Sequence, residues 1–385
     1  MKKLYFEENN LFYEILKLTF YFVITLYPFY LFGSGSIQIS HYLLLIFSVL
    51  VLILIGVRLD RYFYIFFFFI IYNFLVNIFY IYYNLYTFSD VNIKYYREIL
   101  FLTYNFIITI GIISFFNKYR KFDVVLYAVI TAIIIILCSY IYEILVGKNS
   151  YRFSSFFNNP NQLGYFCCCC FSLVYLFYRN LFISYYLMIC LIGTIFVISV
   201  FTLSKAAYFS LIICTLFAIK PFNLKNSNII YLIFILIFYF FIQTFYLEIM
   251  ESNGYNRFVN FKTETDSSLE IRGYFVFLES NSLQAVFGMG PENVFDIKGY
   301  EIHSTFMMIL TSYGLIGFLI YGLLMLFWIL DIKKSYGLRG VVCICAPPLL
   351  YGLTHNGIRF SMFWIIFALS ILMSNELNKL KTNKL

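Results

Sequence analysis

Charge is what this sequence has least of. Asp, Glu, Lys and Arg make up 12% of its 385 residues, against about a quarter in soluble domains. That scarcity excludes a soluble globular domain of any size, because so much Phe, Ile, Leu and Tyr on a water-facing surface would aggregate. Period-two alternation is also missing: segments such as 62–83 and 124–145 are apolar on every face. A transmembrane barrel needs that alternation, so helices remain as the structures that satisfy their own backbone in lipid. No glycine-rich phosphate loop is present, and so no nucleotide site is expected. No internal repeat is visible, which argues against a transporter assembled from inverted halves. Met1, Lys2 and Lys3 are followed by no small-residue cleavage site, and the first apolar run is expected to be a retained helix.

Cysteine is present but offers no framework. All nine fall inside apolar runs. The consecutive Cys167, Cys168, Cys169 and Cys170 cannot aim four sulfurs at one point from a single helix, so they read as small packing residues. Neither a disulfide scaffold nor a zinc site is implied, and no metal or other cofactor is expected. The net charge of +8 sits in short clusters between apolar runs, the distribution of a membrane protein and not of a nucleic-acid binder.

Apolar runs place helices at 11–32, 37–57, 62–83, 95–116, 124–146, 161–178, 181–201, 205–220, 229–248, 302–330, 341–356 and 359–374, about twelve spans. The fold class is therefore all-α, one polytopic transmembrane helical bundle over 1–385. With the N-terminus inside, each inner connection is basic: Arg58 and Arg61; Lys118, Arg120 and Lys121; Arg179; Lys220 and Lys225; Lys333, Lys334 and Arg339; Lys379, Lys381 and Lys384. The positive-inside rule then puts both termini in the cytoplasm. The outer connections are short except for a smaller loop at 147–160 and a large one at 249–301, where Ser268–Phe287 carries apolar residues at helical spacing and is expected to form an interfacial helix.

Outer-face cations are unusual in this arrangement: Lys94, Arg97, Lys148, Arg152, Lys205, Arg257, Lys262, Arg272, Lys298 and Arg359. Taken singly, each can snorkel to headgroups. Converging on one external cavity they would suit phosphate or pyrophosphate, which guanidinium forks match with two parallel bonds. Asn159-Pro160-Asn161 reads as a helix start, with Pro160 restricting Asn159 and Asn161 able to cap; its amides and Arg152 could also form the mouth of a sugar site. Ser204 would cap the next helix and leave Lys205 in its first turn, opposed to the helix dipole. Gly288 and Gly290 allow a tight turn close to a ligand. His303 is one of three histidines and opens a helix with Glu301 beside it; His41 and His355, in or beside apolar runs, rank lower.

These motifs, taken in order, resemble the O-antigen ligase and O-antigen polymerase group of bacterial membrane enzymes. The resemblance rests on Arg152 with Asn159-Pro160-Asn161, Ser204-Lys205-Ala206, Arg272 ahead of Gly288-Met289-Gly290, and His303-Ser304 before Tyr313-Gly314-Leu315-Ile316-Gly317. It covers about 150–320, with two departures: Lys205 stands where the family shows arginine, and Ser304 where it shows asparagine. The family is similar to metal-independent C-superfamily glycosyltransferases. The resemblance implies transfer of a saccharide from undecaprenyl pyrophosphate at the periplasmic face of the inner membrane. The acceptor is a second lipid-linked repeat for a polymerase, which the Phe/Ile/Tyr-rich usage favours, or lipid A core for a ligase. It further implies His303, Arg272 and Glu301 as catalytic residues, and Arg152, Asn159, Asn161, Lys205 and Glu292 as substrate contacts. Glu301 and Glu292 stand behind His303 as alternative bases. Membrane lipid and a chain-length regulator are the further partners implied, and nucleic acid is not one. A flippase is the rival from another class, but ionisable residues inside helices are few (Glu14, Lys17, Arg97, Glu98, Glu143).

Overall fold

The computed structural model describes residues 11–33, 36–88, 97–146, 152–219, 272–291, 294–295 and 299–382. These residues form helices and no strand. In chain order they are α1 (Leu11–Thr25), α2 (Ile39–Ile55), α3 (Arg61–Phe88), α4 (Arg97–Tyr119), α5 (Asp123–Leu145), α6 (Pro160–Arg179), α7 (Tyr185–Phe201) and α8 (Lys205–Ala218). After 272 come α9 (Ser282–Phe287), α10 (Thr305–Gly340), α11 (Ala346–Gly352) and α12 (Ser361–Thr382). By length and composition, six helical stretches are able to cross a membrane: Arg61–Tyr82, Glu98–Tyr119, Asp123–Leu145, Pro160–Arg179, Thr305–Gly352 and Ser361–Lys379. Among the described residues the protein is thus all-helical, with the long apolar helices of a membrane protein. The helix expected over 229–248, and residues 249–271 of the large loop, lie outside the described residues.

Two helices form the centre. In α6 every side chain from Leu163 to Phe177 is buried, and α12 is buried from Ser361 through Ser374. A helix that is apolar all round belongs inside, and α6 can pack tightly because its middle is four cysteines, all buried. Around them, α2 packs on α4, α4 on α12, α3 and α12 on α10, and α8 on α11 and α6. The outward faces keep large apolar side chains such as Phe68, Phe79 and Leu319, as lipid contact allows.

Several boundaries differ from the sequence reading for physical reasons. The first helix ends at Thr25, three residues short of Pro28, whose ring cannot continue a helix. At α6 the cap is Asn159, not Asn161: Asn159 is extended (φ −152°, ψ 155°), its Oδ1 accepts from the Gln162 amide at 2.9 Å, and Pro160 takes the first helical position. A proline there pre-sets the helix and makes its predecessor the cap. The inner connection expected near 331–340 is helical, with a turn at Gly337. Its Asp331 accepts from Tyr62 Oη at 2.5 Å and pairs with Arg61.

The interfacial helix expected over 268–287 is not continuous in its described part. A turn leads from Arg272 into a 3₁₀ segment, Val276–Glu279, and α9 restarts behind a capping box of Asn281 and Gln284. Gly273 adopts φ +81°, and Ser280 is extended. The Asn281 cap signal therefore prevails over the apolar periodicity.

The C-terminal end of α9 docks into a break in α10. Gly314 has φ 65° and ψ −170°, which frees carbonyls of the preceding turn. The amide of Met289 donates to Thr311 O and that of Gly290 to Ser312 O, both at 2.9 Å. From α3, Tyr72 Oη donates to Phe287 O and Tyr80 Oη to Gly288 O, both at 2.8 Å. A Cβ at Gly288 would lie 2.3 Å from Ser312 O, and one at Gly314 would lie 2.4 Å from Gly288 N. The glycines thus serve a backbone-to-backbone contact with α10, where the sequence reading had a turn facing a ligand. Gly314→Ala is expected to destabilise the protein by about 2 kcal/mol or more, read as a lowered melting midpoint in detergent. Gly322→Ala, where nothing lies within 4 Å, is expected to leave the midpoint unchanged or raised.

Candidate functional site

A cavity of about 560 Å³ opens where five helices begin. Its wall includes Asn159, Asn161 and Gln162 from the start of α6, Ser204 and Lys205 from the start of α8, Glu301 and His303 from the segment leading into α10, and Arg359 and Phe360 ahead of α12. Arg272, Tyr351, Thr354, His355 and Asn356 complete its polar lining. The start of α4 reaches it through Glu98, which pairs with Arg359. Helix N-termini carry partial positive charge, so their convergence adds to the field of the side-chain cations.

The cavity has a second kind of wall. Ala206, Phe209, Ser210 and Ile213 lie on one face of α8, opposite Leu350 and Leu353 of α11 and its following turn. From Lys205 to Ile213 this face runs roughly 12 Å along the helix. Phe209 is 57% exposed, Ile213 43% and Leu353 42%, so the apolar wall is continuous with the lipid-facing surface. One cavity therefore offers cations and hydrogen-bonding groups at the start of α8 and an apolar face along it. That combination suits an amphiphile with an anionic head.

Of the residues singled out in the sequence, Asn159, Asn161, Lys205, Arg272, Glu301 and His303 line this one cavity. Arg152 stands behind the wall: its Nε donates to Thr202 O at 3.0 Å and its Nη2 to Asn161 Oδ1 at 2.8 Å. It thereby joins the α7–α8 junction to the start of α6. Tyr351 Oη donates to Asn161 O at 2.6 Å, so Asn161 is held from both sides. Glu292 lies outside the described residues. Among the described residues no hydrogen bond or ion pair engages the Arg272 guanidinium. Ser204 Oγ, Gln162 Oε1 and both amide atoms of Asn356 are buried without a partner among them. Such groups are costly in isolation, and each borders the cavity, where a polar ligand would satisfy them.

The sequence reading undervalued three residues. Arg359 Nη1 donates to Glu301 Oε1 at 3.0 Å and Nε to Glu98 Oε2 at 3.1 Å, and Nη2 also pairs with Glu98. Its guanidinium lies 5.8 Å from the Phe101 ring. Glu98 is 1% exposed. Burial works against the charge on Arg359, but Glu98 and Glu301 outweigh it and hold the guanidinium more firmly protonated than a free arginine. One side chain thus connects α4, the approach to α10 and the approach to α12. His355 is the third: α11 ends at Gly352, short of the expected 356, and leaves the imidazole in the cavity wall. Burial, together with His303, Arg272 and Arg152, pushes its pKa down to about 3. The polar island Thr354-His355-Asn356-Gly357 between two apolar runs was the available signal.

Breaking the Glu98–Arg359 pair leaves a buried charge uncompensated, which costs about 3–5 kcal/mol. Glu98→Gln is therefore expected to lower the melting midpoint in detergent strongly. The double variant Glu98→Gln/Arg359→Met is expected to recover much of the loss, and additive losses would contradict the pairing. The chain matches no protein-family model and no curated protein.

Proposed function

We propose that this protein is a membrane glycosyltransferase that joins saccharide units carried on a lipid diphosphate, acting as an O-antigen or related surface-polysaccharide polymerase. The observation that carries the reading is the cavity in which Lys205 and Arg272 meet an apolar wall along α8. A lipid-linked diphosphate sugar has an anionic head, a long apolar tail and hydroxyls, and each has a counterpart there. The order of motifs shared with the O-antigen polymerase and ligase group supports the same reading. O-antigen ligase, with lipid A core as acceptor, would use the same site.

The chemistry asks little of a cofactor. A diphosphate is a good leaving group, and the enzyme's task is to stabilise charge as it accumulates on that group while the glycosidic bond breaks. Fixed cations aimed at that charge supply electrostatic preorganisation. Arg272 and Lys205 take that role in this reading, with Arg152 holding Asn161 in place from behind. The acceptor hydroxyl needs a proton acceptor within reach. His303 takes it, with Glu301, steadied by Arg359, beside it. Direct attack on the anomeric carbon would invert its configuration.

The reading sets about twelve spans in the inner membrane, with both termini cytoplasmic and the cavity facing the periplasm. Its support is the segregation of charge. Arg61, Lys118, Arg179, Lys333 and Lys334 lie at the ends of α3, α4, α6 and α10 remote from the cavity, as the positive-inside rule requires of a cytoplasmic face. A flippase would need ionisable groups along a central path, whereas these converge at one end of the bundle.

Complementation of a strain lacking its own polymerase tests the reading. The wild-type chain is expected to restore a ladder of repeat lengths. Arg272→Ala, present in the membrane at equal level, is expected to leave single repeats on core, a loss of at least 100-fold in transfer. Restoration of attachment in a strain that accumulates lipid-linked polymer would instead identify a ligase. Wild-type behaviour of both Arg272→Ala and His303→Ala would overturn the site.

A further inference from the structure

In the proposed donor the lipid, the diphosphate and the first sugar are joined in that order. The groups that hold the first two therefore leave one part of the cavity for the third. The tail takes the apolar face of α8, and the diphosphate takes Lys205, at the start of that face, with Arg272. The remaining polar wall includes Gln162 of α6, Glu301 ahead of α10, and Asn356 and Arg359 of the turn before α12. This wall is held from another side of the bundle. Helix α8 packs on α11, α6 and α7, whereas Arg359 is tied to α4, which packs on α2, α12 and α3.

Arg359 is a cation whose nitrogens are already engaged. Its Nε donates to Glu98 Oε2 at 3.1 Å, its Nη2 pairs with the same carboxylate, and its Nη1 donates to Glu301 Oε1 at 3.0 Å. Among the described residues, two carboxylates thus face one guanidinium, and the group carries an excess of negative charge. Glu98 is sealed within the protein, but the Glu301 side chain is 39% exposed and presents that excess to the cavity.

The amides of the wall favour the same kind of ligand. Asn356 Oδ1 and Nδ2 and Gln162 Oε1 have no partner among the described residues. A sugar hydroxyl both donates and accepts, so it suits either atom of the Asn356 amide, the Gln162 oxygen and the Glu301 carboxylate. An ionised carboxylate only accepts, and it can satisfy none of those oxygens. The turn is also pinned by three helices. Ile358 O accepts from Asn105 Nδ2 of α4 at 3.1 Å and from Trp364 Nε1 of α12 at 2.7 Å. Thr305 Oγ1 of α10 links His355 O to the Gly357 amide.

We propose that this wall is the sugar subsite of the donor and that it selects against acidic sugars: a hexose presenting hydroxyls is taken, and a uronic acid is refused. The proposal rests on the glycosyl-transfer reading and adds to it the class of sugar next to the diphosphate. A carboxylate on that ring would lie against Glu301 in a partly enclosed site, where like charges repel more strongly than in water. Lys205 and Arg272 do not offset the repulsion, because the diphosphate engages them.

The test compares sugars that differ by a single carboxylate. Full-length protein in lipid nanodiscs, at neutral pH and physiological salt, is titrated with farnesyl diphosphate esters of glucose and glucuronic acid, and of galactose and galacturonic acid. Farnesyl diphosphate alone is the reference. In each pair the neutral sugar is expected to bind at least about tenfold more tightly than its acid. Equal affinities, or a preference for the acid in either pair, would overturn the proposal. Because this comparison uses the wild type, it stands whether or not a variant folds. Glu301→Gln is expected to narrow the preference to about threefold or less, and the nearly isosteric Asn356→Asp to widen it. A preference unchanged in both would overturn its assignment to this wall. Failure of all five compounds to bind would overturn it together with the lipid-diphosphate reading of the cavity. The expected preference in a protein that transfers no sugar would place the failure in the glycosyl-transfer reading alone.

Discussion

A helix that breaks inside an apolar medium must pass its freed carbonyls to another donor, since no water is there to accept the role. In α10 the break at Gly314 meets that requirement with the amides of Met289 and Gly290. The contact needs backbone against backbone, and only glycine at 288 and 314 leaves the space. It fastens the described C-terminal part of the large loop to α10 and, through Tyr72 and Tyr80, to α3. Arg272 lies at the beginning of that described segment, and its place beside the cavity depends on the anchor that ends it.

A second constraint acts at the beginnings of the helices. Starts of α4, α6, α8, α10 and α12 gather around one cavity, and the links between them are polar. Arg359 joins Glu98 to Glu301, Arg152 joins Thr202 to Asn161, and Tyr351 reaches the Asn161 carbonyl. Partially buried ions are costly unless paired, and these pairs span large separations in sequence, 261 residues for Arg359 and Glu98. The same contacts that hold the helix starts together therefore fix the groups that face the cavity. Lys205 and Arg272 supply its positive side, and the exposed face of α8 supplies its apolar one.

Much of this was legible in the sequence, and the parts that were not share a cause. Scarce charge and continuous apolar runs gave the helical membrane class, and the start of α6 at Pro160 lies one residue from the expected 161, while α10, expected from 302, begins at Thr305. Buried positions of Cys167 to Cys170 follow from their being small and apolar. The six cavity residues were found because polar residues at apolar boundaries are conspicuous. What escaped depends on tertiary meetings. Nothing local tells Gly288 that it will meet Gly314, or Glu98 that it will meet Arg359. His355 was hidden because the apolar run around it suggested a helix to 356, whereas α11 stops at Gly352. The interfacial helix was overextended because its apolar spacing continues through Gly273 and Ser280, where the backbone does not.

The proposed function is the transfer of sugars between lipid diphosphates at the cavity, without their movement across the bilayer. Its most direct test is reconstitution of the purified protein in vesicles containing an undecaprenyl-pyrophosphate-linked oligosaccharide, without nucleotide, followed by mass analysis of the saccharides and their sidedness. The expected products are saccharides of two or more repeats together with released undecaprenyl pyrophosphate. Saccharides of unchanged length appearing on the opposite face of the vesicle would contradict it.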